Sequence, residues 1–500
     1  MSNSTAPPSP QRSVVSLVAL LVLTALGGTG IFWLLRDALV DDAFITLSYA
    51  RNLGLHGEWA LISGHQSNTA TSPLNVLVLG ALVAIVREPT AALGILHVAT
   101  CVLLVLGLRG LGQVLGLADR LAWIATPLLL LNPLLASSLG LETLLVVTAL
   151  VHLAWAAGRT DPVRFGLVAG ACIWLRLDSV VLVAVLFLLT PALLRGCGKA
   201  VGLAAAVVLP WLAFSWVALG SAVPDTLVIK QHGSFGEFAT GLFSRWGESY
   251  PDAVLAATAP AAVGLAAALG WWWWRTRLTG GSAVVPALAT AGVAYFAVIW
   301  LLGVAPYFWY YGPTLAALTL VAAVAAAAVL GAATPVPRAV ALAVVGVVGL
   351  VMAYPWVQDV GSRAPLGSMP IHGNWARPAQ YEMIGREMGQ QVGDAGVRGP
   401  GEIGSLAYHC RCAMSDKFSD RGRIVDVIDE RAASSWLLRL NYHFLDREEI
   451  EPIVVDYRLR WKRGPDPTAS GWDVRGRPKS PKRDGHFVLV RTGRGAGERP

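Results

Sequence analysis

The sequence predicts an all-α bundle that enters or crosses a membrane about eleven times, followed by a mixed α/β domain outside it. Three observations carry that expectation. Apolar residues make up 55% of the 500 positions and charged residues 14%, where a soluble domain carries about 25% charge. Mean hydropathy is +0.56. The charges are also segregated, with 29 Lys, Arg, Asp and Glu in residues 1–356 and 42 in residues 357–500. A soluble enzyme and a disordered chain are both excluded. The chain divides into a membrane domain, 1–356, and a soluble C-terminal domain, 357–500.

Apolar runs of roughly 17–25 residues are long enough to span the hydrocarbon core. They occur near 13–35, 89–108, 121–139, 143–158, 200–219, 253–274, 283–303, 311–332 and 339–356. The first is too long for the apolar part of a cleavable signal and reads as an anchor. Residues 72–86 are short and begin at Ser72-Pro73, and 165–194 are interrupted by Arg176 and Asp178. Basic connections decide between the topologies, because Lys and Arg gather in short cytoplasmic loops. Those at Arg109–Arg120, Arg159–Arg164, Arg195–Lys199, Arg275–Arg277 and Arg338 share one side only if 72–86 does not cross and 165–194 is a broken, re-entrant hairpin. Nine spans and two half-segments result, with the N-terminus cytoplasmic and the tail outside. The same topology gathers Asp41, Asp42, Glu142, Asp225 and the long loop 220–252 on the outer face. The net charge of +7 is explained by these loops, and the basic end Arg475–Arg499, without interleaved aromatics, reads as a solvated tail rather than a nucleic-acid surface.

In the tail, Tyr381–Gln391 reads as a helix. Short strands are expected at Glu402–Tyr408, Gly422–Val427, Pro452–Val455 and Phe487–Arg491, and disorder at Pro478–Asp484 and in the last ten residues. The five cysteines suggest no disulfide framework, and Cys410 and Cys412 lack a second pair for zinc. The chain has no GxxxxGK[ST] or HExxH motif, which argues against ATP-driven transport and zincin proteolysis.

Candidate chemistry follows from where ionisable residues fall. Asp41 and Asp42 begin the segment after the first span, so one of them either removes a proton from an attacking hydroxyl or N-caps the helix Ala43–Leu53. Glu142 either assists or starts the next helix, where a carboxylate suits the helix dipole. Arg176 and Asp178 lie in an apolar zone, where an ionisable pair is a functional candidate or a structural ion pair. Lys230 is a second candidate for an anionic group, or a solvated lysine. Trp271–Trp274 read as an interfacial belt. Tyr307–Tyr311, including Tyr310 and Tyr311, are a belt or a stacking surface.

The strings DDAFI…YARNL (Asp41–Leu53), His56-Gly57 and TSPL (Thr71–Leu74) together resemble the first outer loop of the GT-C superfamily, integral-membrane glycosyltransferases that use polyprenyl-phosphate sugars. NP…ASSLGLET (Asn132–Thr143), LRLDS (Leu175–Ser179), GSAVPDTLVIK (Gly220–Lys230), PYFWYYGP (Pro306–Pro313) and GEIGSLAY (Gly401–Tyr408) follow in the order expected of actinobacterial proteins similar to terminal arabinofuranosyltransferases. The chain departs from them at Asn68-Thr69-Ala70, at Asn75 and in LRLDS, which leaves the sugar open. The resemblance implies a catalytic base at Asp41 or Asp42, with Asp41 favoured, and help from Glu142. Arg176 or Lys230 would hold the donor phosphate, and Asp178, Asp225, Tyr310 and Tyr311 are further substrate-binding candidates. It also implies a polyprenyl-phosphate sugar donor, arabinofuranose being one candidate, and a cell-envelope glycan or glycolipid acceptor at the outer face of the plasma membrane. No cofactor is required, and a divalent cation at the carboxylates is left open. Two other classes are a transporter or flippase of a lipid-linked sugar and a non-catalytic assembly protein on the same scaffold.

Overall fold

The computed structural model describes residues 10–230, 236–278, 280–331, 335–362, 366–465, 471–474 and 484–492. The expected disorder at Pro478–Asp484 and in the last ten residues falls mostly outside these, as does most of the basic end. Where 484–492 are described, Gly485–Arg491 form a strand.

Among the described residues, seven helices are long and apolar enough to cross a membrane: Val14–Leu35, Pro89–Val114, Cys197–Ala218, Pro251–Leu269, Val284–Leu301, Phe308–Leu330 and Val336–Val360. They match seven of the nine expected spans. The other two are shorter. The run 121–139 breaks into Arg120–Leu130 and Pro133–Ser137, because Asn132 turns its side chain back to accept the N–H groups of Leu134 at 3.1 Å and Leu135 at 3.4 Å. Thr143–Gly158 is a helix of 16 residues. Prolines mark many of these starts, since a first-turn proline forfeits only an N–H that lacks a partner anyway. Pro73, Pro89, Pro133, Pro162 and Pro251 all stand there.

Arg176 breaks 165–194 at the expected place. Pro162–Leu175 stops there in extended backbone, φ −153° and ψ 121°, and Val180–Leu188 resumes after one 3₁₀ turn. Residues 72–86 form the helix Pro73–Val86. Ser72, before it, lines a cleft on the tail side, and Thr90, after it, bonds the tail's Tyr408, so both ends lie on one face.

The connections sort to two ends. Gly281 lies against Val114 and Gly158, Gly331 against Arg120, and Gly196 against Pro162, so the basic loops gather at one end. The tail packs on the other end, where the segments Asp41–His56, Leu141–Glu142, Arg176 and Thr226–Lys230 meet.

The tail carries a five-stranded sheet, β1 (Val397–Arg398), β2 (Met414–Ser415), β3 (Tyr457–Arg463), β4 (Trp472–Val474) and β5 (Gly485–Arg491), in the order β2-β1-β3-β5-β4. β1 pairs parallel with β2 and β3, and β5 antiparallel with β3 and β4. Three expected strands are corrected. Glu402–Tyr408 enters the helix Gly404–Cys410, Gly422–Val427 enters the helix Val425–Ser434, and Pro452–Val455 is irregular chain leading to β3. The cysteine expectation is corrected too, because Cys410 and Cys412 form a disulfide. The helix Pro378–Val392 contains the expected Tyr381–Gln391.

Candidate active site

The first outer segment folds as the helix Asp41–His56, and its two leading carboxylates diverge. Asp41 points into the tail. Its Oδ2 accepts the Gly404 N–H at 3.0 Å and its Oδ1 the Ser405 N–H at 2.8 Å, so it caps the tail helix Gly404–Cys410 rather than its own. Its N–H donates to Asn374 Oδ1 at 3.2 Å. The contact is tight, since any side chain at Gly404 would collide with the Asp41 carbonyl. Burial dominates its titration and raises the carboxyl from 3.8 to about 7, against the pull of the two N–H donors.

Asp42, one residue on, faces away from these donors. It lines a mixed polar and apolar cleft with Thr46, Thr69, Thr71, Ser72, Glu142, Arg176, Thr226, Lys230, Trp309, Tyr310 and Phe418. The structure thus gathers Asp42, Glu142, Arg176, Lys230 and Tyr310, five of the nine residues singled out in the sequence. Asp41, Asp225 and Tyr311 lie outside this lining, and Asp178 reaches it only through Arg176.

Each neighbour is held for a local reason. Glu142 stands at the start of Thr143–Gly158 but makes no capping bond. Its Oε1 instead accepts Arg176 Nη1 at 2.8 Å, both side chains being buried. Arg176 also makes a two-pronged contact with Asp178, Nε to Oδ1 at 3.0 Å and Nη2 to Oδ2. The Tyr310 ring lies 4.4 Å from the guanidinium, in cation–π range. One cation therefore serves two carboxylates.

Lys230 differs. It ends the single helical turn Thr226–Ile229 and makes no ion pair within 4.0 Å among the described residues. Its Nζ lies 5.5 Å from the Tyr307 ring and 5.9 Å from the Phe418 ring. Burial disfavours its charge most strongly, but Tyr310, Asp42 and Tyr307 together outweigh burial and hold the ammonium above its ordinary range. Asp42 is raised above the ordinary carboxylate range, by burial first; Lys230 pulls it down and Glu142 pushes it up.

The remaining candidates have other partners. Asp225 forms a buried ion pair with Arg421 of the tail at 2.9 Å. Tyr311 donates to the Phe238 carbonyl at 2.7 Å and stacks on that ring at 4.3 Å. In the expected tryptophan belt, Trp272 and Trp273 are 70% and 86% exposed, while Trp274 is buried.

Phe418 lines the cleft without having been singled out, while Thr69, Thr226 and Trp309 lay within segments that were quoted but were not named as site residues. Thr71 and Ser72 belong to the TSPL string. Phe418 had no sequence signal, because it sits in the tail and reaches the cleft only through the fold, its carbonyl accepting the Thr69 hydroxyl at 2.7 Å. Among the described residues no group of three or more His, Cys, Asp and Glu is gathered as a metal site.

No family model and no curated protein sequence matches the chain. Solved structures do. ArnT from Cupriavidus metallidurans in the apo state aligns with a TM-score of 0.54 at 15% identity, over 95% of this chain and 98% of that one. ArnT bound to undecaprenyl phosphate gives 0.52 at 13% identity, over 94% and 97%. AglB from Archaeoglobus fulgidus, in complex with an inhibitory peptide and a dolichol-phosphate, gives 0.49 at 14%, over 89% and 69%. The chain shares with ArnT a polytopic membrane fold, carried over nearly the full length of both proteins.

Proposed function

We propose that the chain is a GT-C glycosyltransferase that moves a monosaccharide from a polyprenyl-phosphate donor to a cell-envelope glycan or glycolipid at the outer face of the plasma membrane. The observation that carries it is the cleft: a half-buried carboxylate, Asp42, shares it with a half-buried ammonium, Lys230, and among the described residues neither has a salt-bridge partner. An ammonium that stands in a partly enclosed cleft without a direct ion pair, with Asp42 acting on it only through its field, suits an anionic ligand. ArnT, of the same fold, is known bound to undecaprenyl phosphate, and that ligand class fits Lys230 here.

Roles follow from the partners. Lys230 holds the donor phosphate as a point charge. Arg176 is already engaged by Glu142 and Asp178, so it orders the wall of the cleft and adds to the phosphate site secondarily. Asp42 takes the proton from the acceptor hydroxyl, whose oxygen attacks the anomeric carbon from the face opposite the phosphate. The bond between that carbon and the phosphate oxygen breaks, and its electron pair leaves on polyprenyl phosphate, neutralised by Lys230. Asp41 is the structural partner of the pair. Tyr310 and Trp309 offer ring faces to the sugar. Arabinofuranose is the candidate sugar on the strength of the sequence resemblance alone.

The outer-face placement draws on the one-ended basic loops and on the Cys410–Cys412 disulfide, a bond that persists in oxidising compartments. Kinetics of the purified chain test the phosphate assignment. Lys230→Ala should raise the donor KM about tenfold or more, the worth of a charge-assisted hydrogen bond, and leave the acceptor KM within about twofold. An unchanged donor KM in folded protein would remove Lys230 from the phosphate site.

A further inference from the structure

The turn that carries Lys230 is anchored chiefly to the tail. Val228 and Ile229 are buried in one apolar cluster with Ile424, Ile428, Tyr442 and Leu445. Just before them, Asp225 and Arg421 form an ion pair whose side chains are 0% and 2% exposed. Arg421 Nη2 also donates to Ser221 Oγ at 2.8 Å, and Nη1 to the Leu219 carbonyl. Asp225 begins the turn: its carbonyl accepts the N–H groups of Val228 at 2.9 Å and Ile229 at 3.1 Å, and Lys230 closes onto the Thr226 carbonyl at 2.9 Å. Thr226 and Lys230 then both face the cleft.

We infer that Arg421 is a positioning residue: by clamping Asp225 at the root of this turn, the tail sets where the Lys230 ammonium stands in the donor-phosphate site. This rests on the reading of Lys230 as the phosphate ligand. The physics favours a specific clamp over general packing. A buried ion pair adds little net stability compared with apolar packing, but it is demanding in geometry, and a guanidinium binds three acceptors in a fixed fork that an ammonium cannot copy. The tail is thereby part of the catalytic unit, although among its described residues Phe418 alone lines the cleft.

The test is a double-mutant cycle on undecaprenyl phosphate binding to the full chain in detergent micelles. Arg421→Lys keeps the charge and loses the fork, so its Kd should rise about tenfold. In a Lys230→Ala background, Arg421→Lys should add less than about twofold, because its effect runs through a side chain no longer there. Effects that multiply instead, or a folded Arg421→Lys protein that binds like the wild type, overturn the inference. Thermal unfolding in the same micelles reports whether each variant folds. If Arg421→Lys does not fold, Val228→Ala, which thins the same tail contact without stranding a charge, takes its place with the same two expectations. Wild-type protein that does not bind undecaprenyl phosphate would overturn the donor reading beneath, a result distinct from multiplying effects.

Discussion

Asp41 and Asp42 are adjacent in the chain and do different work, because successive residues on a helix point about 100° apart. Asp41 is sealed against Gly404 and Ser405, and Asp42 opens on the cleft. The sequence resemblance favoured Asp41, Asp42 is the one that lines the cleft, and the cap expected for Ala43–Leu53 is instead a cap on a helix some 360 positions away. The pair itself was legible; which member faces the cleft depends on where the tail docks, and no local pattern records that. Asp41 also makes stability depend on pH. Its folded value of about 7 lies above the unfolded 3.8, so the folded state binds the proton more tightly. The stability it contributes is complete below about pH 4 and is lost as pH rises through 7. Glu402, half-buried near it and bonded to Tyr381, is displaced in the same direction. The thermal midpoint in detergent should therefore fall between about pH 4 and 7, and Asp41→Asn should flatten part of that fall. An unchanged slope in Asp41→Asn would show that its proton is not linked to folding.

At the scale of elements, spans were the easiest to read, since twenty apolar residues have few alternatives to a membrane helix. The break at Arg176 was legible for the same reason, a charge in an apolar run. Tail elements were harder. Glu402–Tyr408 reads as a short strand, yet Gly404–Cys410 is a helix because Asp41 supplies the N-terminal acceptors and Arg51 closes its far end, donating to the Tyr408 carbonyl at 2.8 Å and lying 4.5 Å from that ring. Those partners come from the membrane domain, so a local reading could not include them. The Cys410–Cys412 disulfide was missed because two cysteines alone carry no pairing signal. Gly404 should be the most sensitive glycine of this junction. Gly404→Val forces a side chain into the Asp41 carbonyl, and overpacking of this kind costs about 1–3 kcal/mol. Limited proteolysis should release the tail faster in that variant than in the wild type; equal rates would place the docking energy elsewhere.

Over the whole molecule, basic loops lie at one end and the carboxylate-bearing cleft at the other, and the direction we propose, basic end cytoplasmic, rests on the positive-inside rule. Cys197 is an exposed free cysteine at the basic end, whereas Cys101 and Cys172 are buried. A membrane-impermeant maleimide applied to intact cells should label Ser434→Cys, exposed on the tail, and reach Cys197 only after the membrane is opened. Labelling of Cys197 in intact cells would reverse the direction. A polytopic helical bundle was legible from composition, and the fold shared with ArnT agrees, although seven helices among the described residues, not nine, are long and apolar enough to cross; the cleft was legible only in part, since Phe418 and Arg421 act from a domain whose docking the sequence does not announce. The most direct measurement is sugar transfer in proteoliposomes, from a radiolabelled polyprenyl-phosphate sugar to an envelope glycan fragment, with wild type, Asp41→Asn and Asp42→Asn compared. Loss of a general base costs about 10²–10⁴-fold, so wild type should consume donor and label the acceptor, Asp41→Asn should keep turnover within about tenfold, and Asp42→Asn should bind donor yet lose about 10²-fold or more. Near-wild-type turnover in folded Asp42→Asn, or labelled donor that crosses the bilayer unconsumed by wild type, would contradict a transferase built on this cleft.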